Sequence, residues 1–416
     1  MTNAIDVVSP VTTARTTKVR VESVDLLRGL IMVIMMLDHT RDFAHRDALA
    51  FDPTDVSRTF ALLFFTRWIT HFCAPLFVFL AGTAIALQEM RGRSKAELSR
   101  FLVTRGLWLI AVELLILRPV VFFNFHYSEL LCFMQVIWVI GCSMIVLAGA
   151  IHLPLRWNLV LSLSVIALHN LLDGVRVTAF AGPGTPVPSF WESVWYILHR
   201  QGPIFPLGFP GPIVMVMYPL IPWPAVMLAG YAFGSLYRKS ESDRRRALIL
   251  LGSAIVLGFI VVRLINVYGD PSPWTMKFGT AKAALSFLAL TKYPPSLLYL
   301  MMTIGPGILF LAFAERHTSG ALARVFITFG RVPMFFYILQ WIASHVLAIV
   351  ATLTAGKPVA YLFSNFGFGG PPPANVGFGL PVVYALWILG VILLYPLCVW
   401  FAGVKARRRD WWLSYV

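Results

Sequence analysis

The chain alternates between long apolar stretches and short polar segments that hold most of its charged residues. A helix needs about 20 mostly apolar residues to cross a lipid bilayer. On this criterion the sequence predicts about ten transmembrane helices, with a margin of one because the fifth stretch is short. The predicted spans are residues 24–41, 68–88, 101–123, 130–153, 157–172, 213–237, 247–268, 296–314, 325–353 and 380–402. The pattern therefore predicts an all-α fold, a polytopic bundle of membrane-spanning helices.

The composition narrows the class of protein further. Of the 416 residues, 58% are hydrophobic and 13% are charged, whereas soluble proteins have about 45–50% apolar and about 25% charged residues. These values exclude a cytosolic globular enzyme, a disordered protein and a secreted disulfide scaffold. The cysteines lie in apolar runs without a CxxC spacing, so neither a metal site nor a disulfide framework is predicted. They are Cys73, Cys132, Cys142 and Cys398.

The net charge of +15 has two readings. A strongly basic chain often binds nucleic acid, but basic residues in short loops of a membrane protein are also retained at the cytoplasmic face. Most Lys and Arg residues fall on one side of the alternating predicted loops, and both termini lie on that side. We therefore predict cytoplasmic termini and no nucleic-acid partner.

Three parts are predicted along the chain. Residues 1–20 form a disordered cytoplasmic tail, residues 21–404 form one transmembrane domain, and residues 405–416 form a basic and aromatic tail. The first 20 residues lack the apolar core of a cleavable signal peptide, so we expect the first span to direct membrane insertion.

Ionisable side chains are costly at membrane depth, and the first predicted span concentrates them. Arg28 and His39 are 11 residues apart, which on an α-helix is about 20° in azimuth and about 16 Å along the axis. One helix face therefore carries a guanidinium near its cytoplasmic end and an imidazole near the opposite end. Gly29, beside Arg28, would let a ligand or a neighbouring helix approach the backbone closely.

The residues around His39 have two interpretations. If the helix continues by one turn, Asp42 lies three residues from His39 and can fix the tautomer of the imidazole, as in a general base with an orienting carboxylate. Asp38, directly before His39, is a further candidate for the catalytic group. In the alternative, these charged residues pair with each other at the water boundary and have no catalytic role.

The spacing of Arg28 and His39 resembles the signature of membrane acyltransferases that move acyl groups across a bilayer. Six segments resemble the bacterial family related to heparan-α-glucosaminide N-acetyltransferase, and they extend over nearly the whole chain from about residue 20. They are SVDLLRGLIMVIMMLDHTRD, THFCAPLFVFLAGTAIAL, YPLIPWPAVMLAGYAFG, KYPPSLLYLMMTIGP, FGRVPMFFYILQ and the C-terminal RRRDWWLSY. The resemblance implies a multi-pass protein of the bacterial inner membrane.

The resemblance also implies an activity, which is transfer of an acetyl or other acyl group from cytosolic acyl-CoA to an acceptor on the far side, expected to be a sugar or glycan. No metal is expected to take part. Arg28 and Gly29 would bind the CoA moiety, with Arg331 as a second candidate for its phosphates. His39 would act as general base or as transient acyl carrier. In the lysosomal branch of the family the catalytic His lies further into the following loop, so His45 is the alternative.

Other polar residues in the predicted spans carry weaker expectations. Glu113 is expected to form a structural pair with an Arg, with a proton relay as the alternative. His71 at the start of the second span is expected to be interfacial, although it could line the same cavity. Gln340 and His345 are five residues apart and cannot share a helix face, so the pair receives little weight.

The acceptor site is expected to open beside the loop at residues 39–59. Its carboxylates either hold a cationic or amino-sugar acceptor or only solvate the loop, and they are Asp42, Asp47, Asp52 and Asp55. The alternative class of protein is a proton-coupled transporter or flippase, in which His39 and Glu113 exchange protons and Arg28 binds an anionic solute. No internal repeat supports that class. A monomer and a homodimer are both compatible with the sequence.

Overall fold

The computed structural model describes residues 21–48, 50–177, 180, 184–364, 373, 375–408 and 410–415, and they are mainly helical. The predicted tail at residues 1–20 lies outside them. The α-helices are α1 (Glu22–Ala44), α2 (Ala61–Thr70), α3 (Cys73–Met90), α4 (Lys95–Ala111), α5 (Arg118–Phe122), α6 (Val136–Ala150), α7 (Leu155–Leu168), α8 (Phe190–Leu198), α9 (Trp223–Phe233), α10 (Glu241–Ile265), α11 (Thr280–Leu288), α12 (Leu297–Ala314), α13 (Ala321–Arg331), α14 (Pro333–Thr354) and α15 (Leu380–Arg407). A π-helical segment, Val112–Leu117, joins α4 to α5.

Six helical segments of the described chain are long and apolar enough to cross a membrane, and the prediction of a mainly helical fold is confirmed. They are Ala61–Met90, Leu155–Gly174, Glu241–Ile265, Leu297–Ala314, Pro333–Thr354 and Leu380–Arg407. The first predicted span forms α1, a helix of 23 residues that is mostly buried. Its charged residues lie towards both of its ends, whereas those of Glu241–Ile265 are concentrated in its first turns. The total of ten spans stays a prediction.

Two predicted spans begin as strands, so the all-α prediction omits a small sheet. The segment 130–153 starts with β1 (Leu130–Met134), and the segment 213–237 starts with β3 (Ile213–Val216). β1 pairs with β3 in parallel, and β2 (Gly202–Ile204) pairs with β3 antiparallel. An apolar run of this kind satisfies hydropathy equally well as strand or helix, which is why the sequence pattern missed the sheet.

The predicted span at 325–353 is two helices rather than one. α13 ends at Arg331, Val332 leaves the helical conformation, and α14 begins at Pro333. A proline has no backbone N–H to donate, and its ring disfavours the helical conformation of the preceding residue. The break therefore follows from Pro333, and it places Arg331 at a helix end.

The central helix of the bundle is α1, which packs against α2, α3, α12, α13, α14 and α15. Its crossing with α13 depends on two glycines. A Cβ atom on Gly29 would lie 1.7 Å from the carbonyl oxygen of Phe326, and one on Gly330 would lie 1.9 Å from that of Asp25. Small residues at such crossings let membrane helices approach to backbone contact. The crossing fixes the end of α1 that carries Arg28 against the end of α13.

Further along, α1 is tied to α14, which runs in the same direction beside it. The hydroxyls of Thr40 and Ser344 are 3.0 Å apart and form a buried hydrogen bond between the two helices. The indole N–H of Trp387 on α15 donates to the carbonyl of Val33 at 2.8 Å. These contacts fix the rotation of α1, and with it the direction in which its polar side chains point.

Candidate active site

A cavity of about 360 Å³ runs along one face of α1, and we call it the basic cavity. Arg28, Met32 and Met35 line it from α1 at helical spacing, and Pro333 and Tyr337 line it from α14. His39 continues the same row of α1 one turn beyond Met35. The cavity therefore extends from Arg28 towards His39.

The entrance of the basic cavity is strongly cationic. Arg28, Arg105, Arg331 and Lys405 line it, and among the described lining residues there is no carboxylate. The Arg28 guanidinium contacts the Asp25 carboxylate at 3.3 Å and the carbonyl of Gly330 at 3.4 Å. Arg331 contacts Glu22 at 3.2 Å, and its side chain is 41% exposed. Such a group of cations suits the phosphates of a nucleotide.

Lys405 and the residues after it were predicted to form a separate tail. Instead α15 continues through Arg407, and Lys405 belongs to the wall of the basic cavity. Beyond α15, the Tyr415 hydroxyl lies 2.9 Å from that of Thr104 on α4.

His39 is oriented by α14. Its Nδ1 lies 2.8 Å from Oε1 of Gln340, and its ring stacks on Trp341 with ring centroids 3.5 Å apart. The Gln340 amide N–H donates to the carbonyl of Tyr337 at 3.1 Å, so its oxygen faces the imidazole. Nδ1 of His39 therefore donates, and Nε2 carries the lone pair that a base or nucleophile needs.

The carboxylates next to His39 do not orient it as predicted. Asp42 pairs with Arg41 at 2.6 Å, and Asp38 pairs with Arg41 and with Arg67 on α2. The predicted orienting carboxylate is thus replaced by the amide of Gln340. Asp38 and Asp42 form the ion-pair cluster that the alternative interpretation described, because two arginines lie within their reach.

His45 and Gly29 also lie elsewhere than their predicted roles require. Nδ1 of His45 accepts the backbone N–H of Asp47 at 3.2 Å, and its backbone pairs with Phe378. Burial lowers the pKa of the His45 imidazole, which keeps it neutral within this loop packing. Gly29 faces α13 rather than the basic cavity, and its missing side chain is explained by the helix crossing.

A second pocket, of about 590 Å³, lies beyond the other end of α1, and we call it the polar pocket. Arg67, His71, Lys292 and Tyr293 line it together with residues of the predicted acceptor loop. The pair between Arg67 and Asp38 connects its wall to the residue directly before His39. His39 lines neither cavity itself, but it follows the row of α1 residues that lines the basic cavity and is adjacent to Asp38, which contacts the wall of the polar pocket.

The charges of the polar pocket come from different parts of the chain. The Lys292 ammonium lies 5.1 Å from the ring centroid of Tyr293, and the Tyr293 hydroxyl donates to that of Tyr218 at 3.4 Å. Burial alone would raise the pKa of Tyr293, but Lys292 and Arg67 lower it below its usual value. The pocket therefore combines cationic side chains with a histidine and a tyrosine.

The loop carboxylates that line this pocket accept hydrogen bonds from the loop itself. Asp52 accepts the backbone N–H of Thr54 at 2.8 Å, and Asp55 accepts that of Ser57 at 2.9 Å. Side-chain caps of this kind stabilise turns. This arrangement agrees with the interpretation that the carboxylates belong to the loop structure.

Glu113 caps a helix and does not pair with an arginine among the described residues. It lies in the π-helical segment between α4 and α5, and its Oε2 accepts the backbone N–H of Trp138 in the first turn of α6 at 3.1 Å. A carboxylate at a helix N-terminus satisfies free N–H groups and complements the helix dipole.

His345 is buried between the rings of Phe43 and Phe123.

Sequence reasoning missed Gln340, Trp341 and Lys292. Gln340 ends the segment FGRVPMFFYILQ, which carries part of the family resemblance, but its spacing to His345 indicates no role for it. Nothing in the local sequence shows that Gln340 meets His39, because the two residues are 301 positions apart. Among the described residues, no group of three or more His, Cys, Asp and Glu side chains is arranged to hold a metal ion.

Comparison with known families decides the class of protein. The family described as "Heparan-alpha-glucosaminide N-acetyltransferase, catalytic" matches residues 20–263, more than half of the chain. The chain belongs to this family. No curated protein matches it in a sequence comparison. Membership in this family indicates a membrane acetyltransferase. The matched residues include Arg28, His39 and His71. Gln340 and Lys292 lie beyond the matched residues.

Proposed function

We propose that the protein is an integral membrane acyltransferase that moves an acetyl or other acyl group from cytosolic acyl-CoA to an acceptor on the opposite side. In this proposal the chain has about ten spans in a bacterial inner membrane, with both termini in the cytoplasm. The acceptor is a sugar or glycan. Membership in the acetyltransferase family supports the reaction type, and the two cavities support the transmembrane arrangement.

The basic cavity is the proposed donor site. Arg28, Arg105, Arg331 and Lys405 at its entrance would bind the phosphates of CoA. The wall between Arg28 and His39 is mainly apolar, with Met32, Met35 and Tyr337 along it. Eleven residues of helix span about 16 Å, which is about the length of an extended pantetheine arm. A thioester at the end of that arm would lie beside His39.

His39 is the proposed catalytic residue. With Nδ1 bonded to Gln340, its Nε2 can remove a proton from the acceptor while the acceptor attacks the thioester carbonyl. The carbon–sulfur bond then breaks, and the CoA thiolate leaves with the electron pair. Alternatively, Nε2 attacks the thioester itself, and an acyl-histidine passes the group to the acceptor. Both routes need the tautomer that Gln340 stabilises.

One observation carries this proposal, namely that α1 leads from the basic cavity to His39 and that the adjacent Asp38 pairs with a residue of the polar pocket. The row from Arg28 to Met35 leads to it from one side. On the other side, Asp38 pairs with Arg67 in the wall of the polar pocket. A residue in this position can reach a donor and an acceptor that enter from opposite faces of a membrane.

The test uses the purified full chain and radiolabelled acetyl-CoA. Wild-type protein should consume the thioester and release CoA, whereas His39→Ala should lose this activity. His45→Ala is the matched control, because His45 is a buried histidine near the same end of α1 that lines neither cavity. We expect His45→Ala to keep the activity. Solute uptake without thioester consumption would identify a transporter instead.

A further inference from the structure

His71 lies at a break between two helices at the base of the polar pocket. α2 ends at Thr70 and α3 begins at Cys73, so His71 is outside both helices. Its carbonyl accepts the hydroxyl of Tyr299 at 2.8 Å. The residue is only 2% exposed, which differs from the expected interfacial position. The break holds the imidazole in the wall of the polar pocket.

The imidazole of His71 has an unused nitrogen. Among the described residues, Nδ1 is buried and has no hydrogen-bond partner. Buried polar atoms in folded proteins almost always have a partner. His71 lines the polar pocket although Nδ1 itself is covered, so a rotation of the ring towards the pocket would let a ligand supply the missing hydrogen bond.

Charged residues from three parts of the fold surround this ring. Arg67 lies four residues earlier and lines the same pocket, and Lys292 lies on the loop before α12. Asp38 and Arg41 on α1 contribute to the electrostatic potential at the ring. The ring of Tyr299 lies 5.3 Å away, between ring centroids. His71 is thus close to the cluster that adjoins His39, although it belongs to the opposite cavity.

We propose that His71 is the acid–base residue for the acceptor. In this inference, which rests on the proposed acyltransferase function, Nδ1 takes a proton from the amine or hydroxyl of an acceptor held in the polar pocket. The freed lone pair bonds to the acyl carbon, and the bond from that carbon to the CoA sulfur or to His39 breaks. The departing sulfur or nitrogen keeps the electron pair. In this inference His71 takes the acceptor's proton in place of His39, and His39 acts on the donor.

The proposal requires one tautomer of His71. Nε2 must carry the proton, so that Nδ1 presents its lone pair to the acceptor. After the transfer, Nδ1 returns its proton to water in the pocket or to the leaving group. Removal of the ring should therefore impair most strongly those acceptors that are protonated at neutral pH and must lose a proton before they attack.

Two acceptor probes separate this role from a structural one. D-glucosamine carries an ammonium group that must lose a proton before it attacks. Hydroxylamine is mostly neutral near pH 7 and attacks without prior loss of a proton, and the proton released after its attack passes to water. Its uncatalysed reaction with acetyl-CoA is measured without protein and subtracted. We expect His71→Ala to reduce acetyl transfer to D-glucosamine by about 100-fold or more, the usual contribution of general acid–base catalysis. Transfer to hydroxylamine should fall by no more than about threefold, and added imidazole should restore part of the lost activity.

The variants His71→Gln and His39→Ala complete the experiment. His71→Gln fills the same space without a basic nitrogen and should behave as His71→Ala without a defect in folding. His39→Ala should lose transfer to both probes. The inference is overturned if His71→Ala loses both probes equally without imidazole rescue, or keeps transfer to D-glucosamine. A wild-type protein that releases no CoA with either probe would instead overturn the proposed function.

Discussion

The role of Gln340 gives the sharpest prediction, because the sequence alone did not suggest it. Replacing Gln340 by Leu keeps the volume of this fully buried side chain approximately but removes the oxygen that lies 2.8 Å from Nδ1 of His39. The imidazole then loses the bond that fixes its tautomer. The stacking on Trp341 remains, so the ring should stay in place while its protonated nitrogen is no longer defined.

The size of the effect follows from the geometry of this bond. A buried donor left without its acceptor costs about 1–3 kcal/mol. If this cost appears in the transition state, each 1.4 kcal/mol lowers the rate about tenfold, so kcat should fall by about 5- to 150-fold. The KM for acetyl-CoA should change little, because Gln340 is not among the described lining residues of the basic cavity.

The assay is release of CoA from acetyl-CoA by purified protein. Ser344→Ala is the matched control. It removes a second hydrogen bond between α14 and α1, the one from Ser344 to Thr40, and leaves the bond between Gln340 and His39 in place. Its kcat should remain within about threefold of the wild type. Gln340→Glu, which restores an acceptor oxygen, should recover activity relative to Gln340→Leu. Equal losses in Gln340→Leu and Ser344→Ala would refute the orienting role, since helix packing would then explain both.

Two further predictions concern the donor end of α1. Arg28→Gln should raise the KM for acetyl-CoA about 10-fold or more, because a hydrogen bond to a charged group contributes about 1.5–3 kcal/mol. An equal rise in the KM for D-glucosamine would contradict donor binding. Gly330→Ala should lower the apparent melting temperature, because its Cβ would overlap the carbonyl of Asp25 and overpacking costs about 1–3 kcal/mol or more. The control is Gly403→Ala, in which the added Cβ has room, and it should not lower the melting temperature. Equal melting curves for the two variants would contradict the close crossing.

Helix periodicity was sufficient to predict the main axis of the site. Arg28 and His39 are 11 residues apart, and a continuous α-helix brings residues at that spacing to one face. The structure has that helix, and Met32 and Met35 continue the row between them along the basic cavity. The long apolar segments gave the helical architecture for the same reason, because length and hydropathy are local properties.

The partners of His39 could not be predicted because they depend on packing between distant segments. Asp42 has suitable spacing to orient the ring, but its carboxylate forms an ion pair with the adjacent Arg41 instead. Gln340 reaches the ring only because α14 begins at Pro333 and then runs beside α1. The polar pocket likewise combines His71 with Lys292, and no local pattern links these two residues.

The central claim is that the acyl group passes from one side of the membrane to the other at His39. Proteoliposomes with a single protein orientation test it directly, with labelled acetyl-CoA outside and D-glucosamine enclosed inside. The account predicts labelled acetylated sugar within the vesicles for wild type and for His45→Ala, and none for His39→Ala. Labelled product confined to the acetyl-CoA side, or undiminished product with His39→Ala, would contradict it.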